Sequence, residues 1–359
     1  MNAFFKLAFF GLAIALTVKI LTDLDFNKVV YNHSPGKCRY VEGIDTPGSE
    51  DLILLSNGLA LISSGVYLSV SSVKPSPGKL YLFDPANEAG KAEPLIIKSD
   101  QEGFKADEFF PVGITAWEEK GGTTVYVINS FTKQLYVFDL KIKERQLIHK
   151  KTLSHSSISN PNNLIAVGKD KFYVTNFVYY VHPVLMVAEF VQKLPFGTVW
   201  YYDGSQFVQV LDGLKGPNGI GVSKSKKFLY LATHMDESVR VYRIEPTPAN
   251  TNLTLVNTLA LYTGVDNINV DSQGSIWVGS HPVAYKSAMH MLDSSKHSAP
   301  SQVLKITFNA DHSTATVEEV YANDGGQLNL STVAATSNDG RKLLIGSLMQ
   351  KTLLCNVAQ

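Results

Sequence analysis

The amino-acid sequence predicts an all-β protein, a six-bladed β-propeller. Three observations carry this. No helical period runs far into the body of the chain. Short runs rich in Val, Ile, Tyr and Phe recur instead, alternating with period two and broken by turns. The runs group into units of roughly 45–55 residues with about four strands each, which is the period of a propeller blade.

The runs appear in order as GKLYLFDP (78–85), TTVYVINS (123–130), KQLYVFDL (133–140) and DKFYVTNF (170–177). GTVWYYDG (197–204), KKFLYLAT (226–233), SVRVYRIE (238–245), GSIWVGSH (274–281), SQVLKITF (301–308) and RKLLIGSL (341–348) follow. A propeller must close its ring within one blade. Cys38 and Cys355, the two cysteines of the chain, stand near the two ends of this body and are placed to lock that closure. Two unrelated buried thiols are the alternative; in an oxidising compartment a pair is expected. The chain-entropy treatment assigns so long a loop roughly 5–6 kcal/mol, less any native strain.

The amino terminus differs from the rest. MNAFFKLAFFGLAIALTVKIL carries two charges, Lys6 and Lys19. The apolar stretch between them suits a signal-peptide h-region, and Ala13-Ile14-Ala15 offers a small-residue cleavage pattern. From Ala3 to Leu21 the segment also approaches the ~30 Å of a bilayer core if the lysines snorkel. Residues 1–22 are therefore a signal peptide or a retained anchor, 23–37 a linker and 38–359 the propeller. Either fate sends the body into the secretory pathway: the lumen of the endoplasmic reticulum, the cell surface or, after cleavage, secretion. Asn32, Asn252 and Asn329 are Asn-x-Ser/Thr sequons, with Asn252 in the best loop context and Asn329 in an apolar stretch.

With 32 basic and 32 acidic residues the chain is formally neutral, which argues against nucleic acid as partner. The closest basic run, KSKK at Lys224–Lys227, reads as a solvated turn. One segment breaks the strand pattern. YYVHPVLMVAEFVQKLP places Pro183 at a helix start and Pro195 past its end, predicting a helix near 183–194. It is apolar nearly all round, with Glu189 and Lys193 spaced as an i,i+4 pair. It caps the core, covers a pocket or lies on a membrane surface.

Oxygen-bearing side chains gather at NPNNLIAVG (160–168), GPNGIGV (216–222) and GVDNINVD (264–271), together with the adjacent acids Glu50 and Asp51. A hard cation such as Ca²⁺ wants six to eight oxygens at ~2.3–2.6 Å. There is no Cys cluster and no HExxH, so zinc is not expected. Taken singly, each Asn reads as a local turn cap. Taken together in a propeller, whose inner strands converge on a channel, they read as a metal site.

The phrases VEGIDTPGSEDLILLSNGLALISSG, SPGKLYLFD, NNLIAVG, KFYVTN, GPNGIGVS, VDNINVD, IWVGSHP and KLLIGSLMQKTLLC resemble the paraoxonase/arylesterase family, from Cys38 to Cys355. The resemblance implies a six-bladed propeller with two calcium ions in its tunnel, the upper catalytic and the lower structural. It assigns Glu50, Asn162, Asn218, Asp266 and Asn267 to the upper ion. It assigns Asp51, the carbonyl of Ile114 and Asn163 to the lower one, where the family has an aspartate at the position of Asn163. The family activates water with a histidine pair, and an Asp-His pair lies nearby. Here those positions read Val112, Ser130, Phe177 and Val178. His281 alone remains as a titratable group of the matching positions, and it is the candidate catalytic residue. His33, His149, His155, His297 and His312 read as polar loop residues, and His234 as part of a blade hairpin.

Two functions follow. In the first, the chain is a calcium-binding, membrane-anchored protein with weak or no hydrolase activity. It resembles nematode paraoxonase-like proteins that assist folding and assembly of membrane clients such as sodium-channel subunits, and its partners are those clients or a lipid or lipoprotein surface. In the second, it is a calcium-dependent arylesterase or lactonase using a non-standard base.

Overall fold

Each strand run buries apolar side chains on both faces, and the reason is visible in the packing. In Gly122–Asn129, Val125 and Val127 join the apolar cluster shared with the preceding blade, while Tyr126 and Ile128 join the one shared with the next. Lys79–Phe83 divides likewise, with Leu80 and Leu82 on one side and Tyr81 and Phe83 on the other. Such strands sit in the middle of stacked sheets and need apolar residues at both alternate positions.

The computed structural model describes residues 3–67, 76–87, 89–100, 103–246 and 251–358; the first two residues of the predicted leader and Gln359 lie outside them. The described strands form six sheets, five of four strands and one of five. The innermost strands are Leu52–Leu54, Pro111–Glu119, Pro161–Gly168, Pro217–Val222, Gly264–Val270 and Ser331–Thr336, and each contacts the next around a closed ring. Six apolar clusters fill the six interfaces between neighbouring sheets. This is the predicted six-bladed propeller. All ten predicted runs are strands.

The ring closes as expected. The first strand, Cys38–Tyr40, pairs antiparallel with Leu353–Asn356 and completes the last blade, and Cys38 is disulfide-bonded to its register partner Cys355. Lys224–Lys227 is an exposed turn, with Lys226 at φ 56°.

Among the described residues three α-helices accompany the propeller: α1 (Ala3–Asp23), α2 (Pro183–Val191) and α3 (Ala284–Leu292). The third was not anticipated. Helix α1 leaves its described apolar side chains, among them Phe9, Leu12 and Leu16, in solvent. Among the described residues no helix is long and apolar enough to cross a membrane. The predicted linker docks on the body. The Asp25 carboxylate accepts the Ala284 N–H at 3.0 Å, Phe26 stacks on Tyr285 at 4.4 Å, and His33 bridges to Ala322.

Helix α2 forms where Pro183 predicts, but its predicted ion pair does not. Glu189 is fully buried and accepts the backbone N–H groups of Tyr179 and Tyr180 at 3.0–3.1 Å. Lys193 pairs instead with Glu237 at 3.5 Å and Asp23 at 3.8 Å. Outward lie Val184, Leu185, Val187 and Val191, all exposed. The carboxylate turned inward because it satisfies two backbone donors that no strand reaches.

Candidate metal and active site

The site is built by one device repeated around the ring. In each of five inner strands the pairing register slips: between Pro111 and Ile114, Pro161 and Leu164, Pro217 and Ile220, Val265 and Ile268, and Ser331 and Val333. Such irregularities free residues from the pleat and re-aim their side chains. The freed residues include Asn162, Asn163, Asn218, Asp266 and Asn267. The strands can approach closely because glycines stand beside these residues. A Cβ on Gly113 would lie 2.4 Å from the Asn162 carbonyl oxygen, and one on Gly219 2.4 Å from that of Asp266.

Glu50 and Asp51 enter just before the Leu52–Leu54 strand, each 3% exposed. The Thr332 hydroxyl donates to the Glu50 carbonyl and Ser63 Oγ accepts the Asp51 N–H, fixing the turn between them. The two carboxylates diverge. Glu50 Oε1 accepts from Asn267 Nδ2 at 3.0 Å, while Asp51 Oδ2 accepts from the Ile114 N–H at 2.8 Å.

The upper ligand set carries a clear electrostatic signature. Glu50 Oε2, Asn162 Oδ1, Asn218 Oδ1 and Asp266 Oδ1 are all buried without a hydrogen-bond partner. Buried polar atoms are ordinarily paired, and orphaned carboxylate oxygens cost several kcal/mol. Burial, reinforced by repulsion from Asp51 and from Asp266, holds the Glu50 carboxyl well above the usual carboxylate range. Asp266 is raised in the same way, first by burial and then by Asp51. Acceptors alone, with two acids and two amide oxygens, fit a hard divalent cation. Asn267, the fifth expected ligand, spends its amide N–H on Glu50.

The lower set behaves differently. Asp51 accepts three N–H donors, one of them the Ile114 backbone N–H. Asn163 turns its Nδ2 toward both Asp51 and Asn267, at 3.0 and 2.8 Å. These residues do not fit a cation as they stand.

His281 is 6% exposed, and its Nε2 lies 3.5 Å from Asp266 Oδ2 with no hydrogen-bond partner. The sequence reading missed its neighbour. His234 lies in the turn after Phe228–Thr233, in a hairpin as expected, but its ring meets His281 edge-on at 5.4 Å. Ligand-type atoms of His234, Asp266 and His281 all lie within 4.8 Å of one another. The Val265 carbonyl only accepts, so the contact at 3.0 Å puts the proton on His234 Nδ1 and leaves Nε2 as the basic atom. Burial lowers the His234 pKa to about 4, and burial together with His234 holds His281 well below its usual value, so both rings are neutral. No local motif marks His234; only the packing of its blade against the next brings it to Asp266.

The positions where the family places its other titratable groups are inert here. Val112 and Val178 are buried apolar residues. Ser130 is buried, with its hydroxyl donating to the Phe110 carbonyl. Phe177 packs 6.1 Å from His234 and 6.2 Å from Phe190 of α2. His149 is not a loop residue. It sits buried in the strand Gln146–Leu153, bonded to Ser99 and Thr152, and is structural. Asn252 is exposed, as a glycan acceptor must be. Asn329 is 7% exposed with both ends of its amide bonded, so the folded chain leaves no room for a glycan there.

A closed ring of six sheets, with buried oxygen-bearing side chains gathered on its inner strands, defines the class as a six-bladed β-propeller. Solved structures share the architecture. A luciferin-regenerating enzyme superposes with a TM-score of 0.56 at 10% identity, covering 89% of this chain and 95% of that one. A gluconolactonase from Xanthomonas campestris superposes with a TM-score of 0.53 at 13% identity, covering 92% and 99%. At such identities the likeness shows the fold alone. Sequence is more specific. The family described as Arylesterase matches residues 29–357. Serum paraoxonase/arylesterase 2 of Gallus gallus is 37% identical over 326 residues, covering 89% of this chain and 88% of its own. Serum paraoxonase/arylesterase 1 of Homo sapiens is 36% identical over 328 residues, with 89% and 88% covered. The chain belongs to the paraoxonase/arylesterase family.

Proposed function

We propose that this chain is a calcium-dependent hydrolase of carboxylic esters or lactones, slow in turnover, that works at a membrane surface. The observation that carries the proposal is the set of four orphaned oxygens beside the His234–His281 pair. Glu50, Asn162, Asn218 and Asp266 would hold the ion, with Asn267 completing the set through Oδ1 once Asn163 releases it. Held by these oxygens, calcium would supply Lewis-acid polarisation of a substrate carbonyl. His234 Nε2 accepts a proton from water, held in the correct tautomer by the Val265 carbonyl. His281 touches both that ring and Asp266 and helps to hold the two in place. Phe177, packed against His234, offers an apolar face that suits an aryl or alkyl group. Turnover is slow because a ring whose conjugate acid has a pKa of about 4 is a weak base.

The test is hydrolysis of phenyl acetate and of δ-valerolactone by the purified protein, with calcium and with chelator. Turnover that needs calcium and falls in Asp266→Ala and His234→Gln supports the proposal. Activity at the uncatalysed rate would leave only the non-enzymatic reading.

That second reading has its own support. The segment that follows α2 meets α1 at the Lys193–Asp23 pair, and Lys193 also pairs with Glu237 at the end of the turn that carries His234. Both helices expose apolar residues, and α2 is turned inside out. An apolar rim of this kind suits a lipid surface, and the same rim suits an accessory role toward membrane proteins, sodium-channel subunits among them. Location in the endoplasmic reticulum or at the cell surface follows under either reading. Occupancy of Asn252 by a glycan tests whether the body lies on the lumenal side.

A further inference from the structure

Three N–H donors converge on Asp51, at the end of the site away from the orphaned oxygens. The backbone N–H of Leu52 donates to Asp51 Oδ1 at 2.9 Å. The N–H of Ile114 donates to Asp51 Oδ2 at 2.8 Å, and Asn163 Nδ2 donates to the same oxygen at 3.0 Å. The Asn163 amide also donates to Asn267 Oδ1 at 2.8 Å. Asn267 in turn donates through Nδ2 to Glu50 Oε1 at 3.0 Å and to the Glu50 carbonyl at 3.1 Å. Two amides thus link two buried carboxylates in an unbroken relay.

Chemistry fixes the direction of the relay. The Glu50 backbone carbonyl can only accept, so Asn267 keeps its amine end there and presents its oxygen to Asn163. Asp51 Oδ2 is likewise an acceptor. Only the amine end of Asn163 satisfies both neighbours. An aspartate at this position would set a third acceptor against two others, which a cation alone reconciles. Nothing at this end is left unpaired. No atom of Asp51, Asn163 or Asn267 is among the orphaned buried atoms, whereas four oxygens of the upper set are.

We propose that the Asn163 side chain replaces the lower calcium, so that this chain binds a single ion and holds its tunnel floor by amide hydrogen bonds. The upper ion frees Asn267 Oδ1 only if Asn163 gives it up. The floor therefore yields one hydrogen bond on calcium binding and keeps the one to Asp51.

This inference rests on the upper site being a calcium site, and the test separates the two. The full chain is dialysed to equilibrium against Ca²⁺ and the bound metal is counted by atomic emission, for wild type, Asp266→Ala and Asn163→Asp. Wild type is expected to hold one ion per chain, Asp266→Ala none and Asn163→Asp two. Melting of Asn163→Asp is expected to fall below wild type in chelator and to recover with calcium. Two ions on the wild type, or one that survives Asp266→Ala, would overturn the inference. So would a count in Asn163→Asp no higher than wild type. A wild type without metal alongside an Asn163→Asp that gains one would sink the upper-site reading and uphold this one.

Discussion

The two ends of the tunnel are made of the same residue types and do opposite things. At the upper end two acids and two asparagines leave four oxygens without partners. At the lower end one acid and one asparagine leave none, because Asp51 collects three N–H donors. The difference is a single substitution of chemistry, amide for carboxylate at Asn163. It teaches that a cation site is recognised by what its oxygens lack, not by how many oxygens gather.

The largest expected effect separates the ends by metal and by pH. Glu50 and Asp266 have folded-state pKa values raised well above the ordinary range, and Asp51 is pushed up by burial to about 7. A raised carboxyl contributes stability fully present below its unfolded value near 4, and that stability is lost as pH rises through the folded value. In chelator the protein is therefore expected to be most stable in mild acid and to weaken as pH rises from about 4 toward and past 7. Calcium is expected to reverse the trend, adding about 4 kcal/mol when free ion exceeds Kd a thousandfold. Melting curves from pH 4.5 to 8.5 with and without calcium measure both. A chelated protein that gains stability toward pH 8 contradicts the account of the upper end.

Asp266→Asn sharpens the comparison because its sign should change. Removing one buried charge should raise the melting temperature in chelator and lower it in excess calcium. A variant destabilised equally in both states would make Asp266 merely structural. At the lower end, Asn163→Ala should cost ~1–3 kcal/mol by stranding the Asp51 and Asn267 oxygens. That cost should be larger in chelator than in calcium, where Asn267 Oδ1 has already left Asn163, read by urea unfolding.

The smallest effect lies outside the tunnel. Val184→Glu and Val191→Glu on α2 should change stability by no more than about 0.5 kcal/mol, since both side chains are exposed. The same pair should weaken co-sedimentation with phosphatidylcholine vesicles several-fold. Unchanged sedimentation would remove the rim from the membrane-facing surface.

The propeller was legible because its signal is redundant. Tyr126 and Val127 face different interfaces, yet both are apolar, and the pattern repeats in every blade. The closing disulfide was legible from position alone. The tunnel residues were legible as oddities, polar side chains in apolar runs, but their directions were not. Whether Asn163 shows an oxygen or an amine depends on Asn267 and Asp51, which are 104 and 112 residues away in the chain. His234 escaped notice for the same reason, as its partners Val265 and His281 arrive from the next blade. Glu189 misled because i,i+4 spacing with Lys193 is a local rule, and the unpaired N–H groups of Tyr179 and Tyr180 outbid it.

One titration bears on the central claim most directly. Calcium added to the metal-free chain, followed by calorimetry at pH 7.5, should show saturable binding that disappears in Asp266→Ala and persists in Asn163→Ala. An isotherm with no heat above dilution, together with thermal unfolding indifferent to chelator, would show that the four orphaned oxygens of the tunnel are not waiting for a cation.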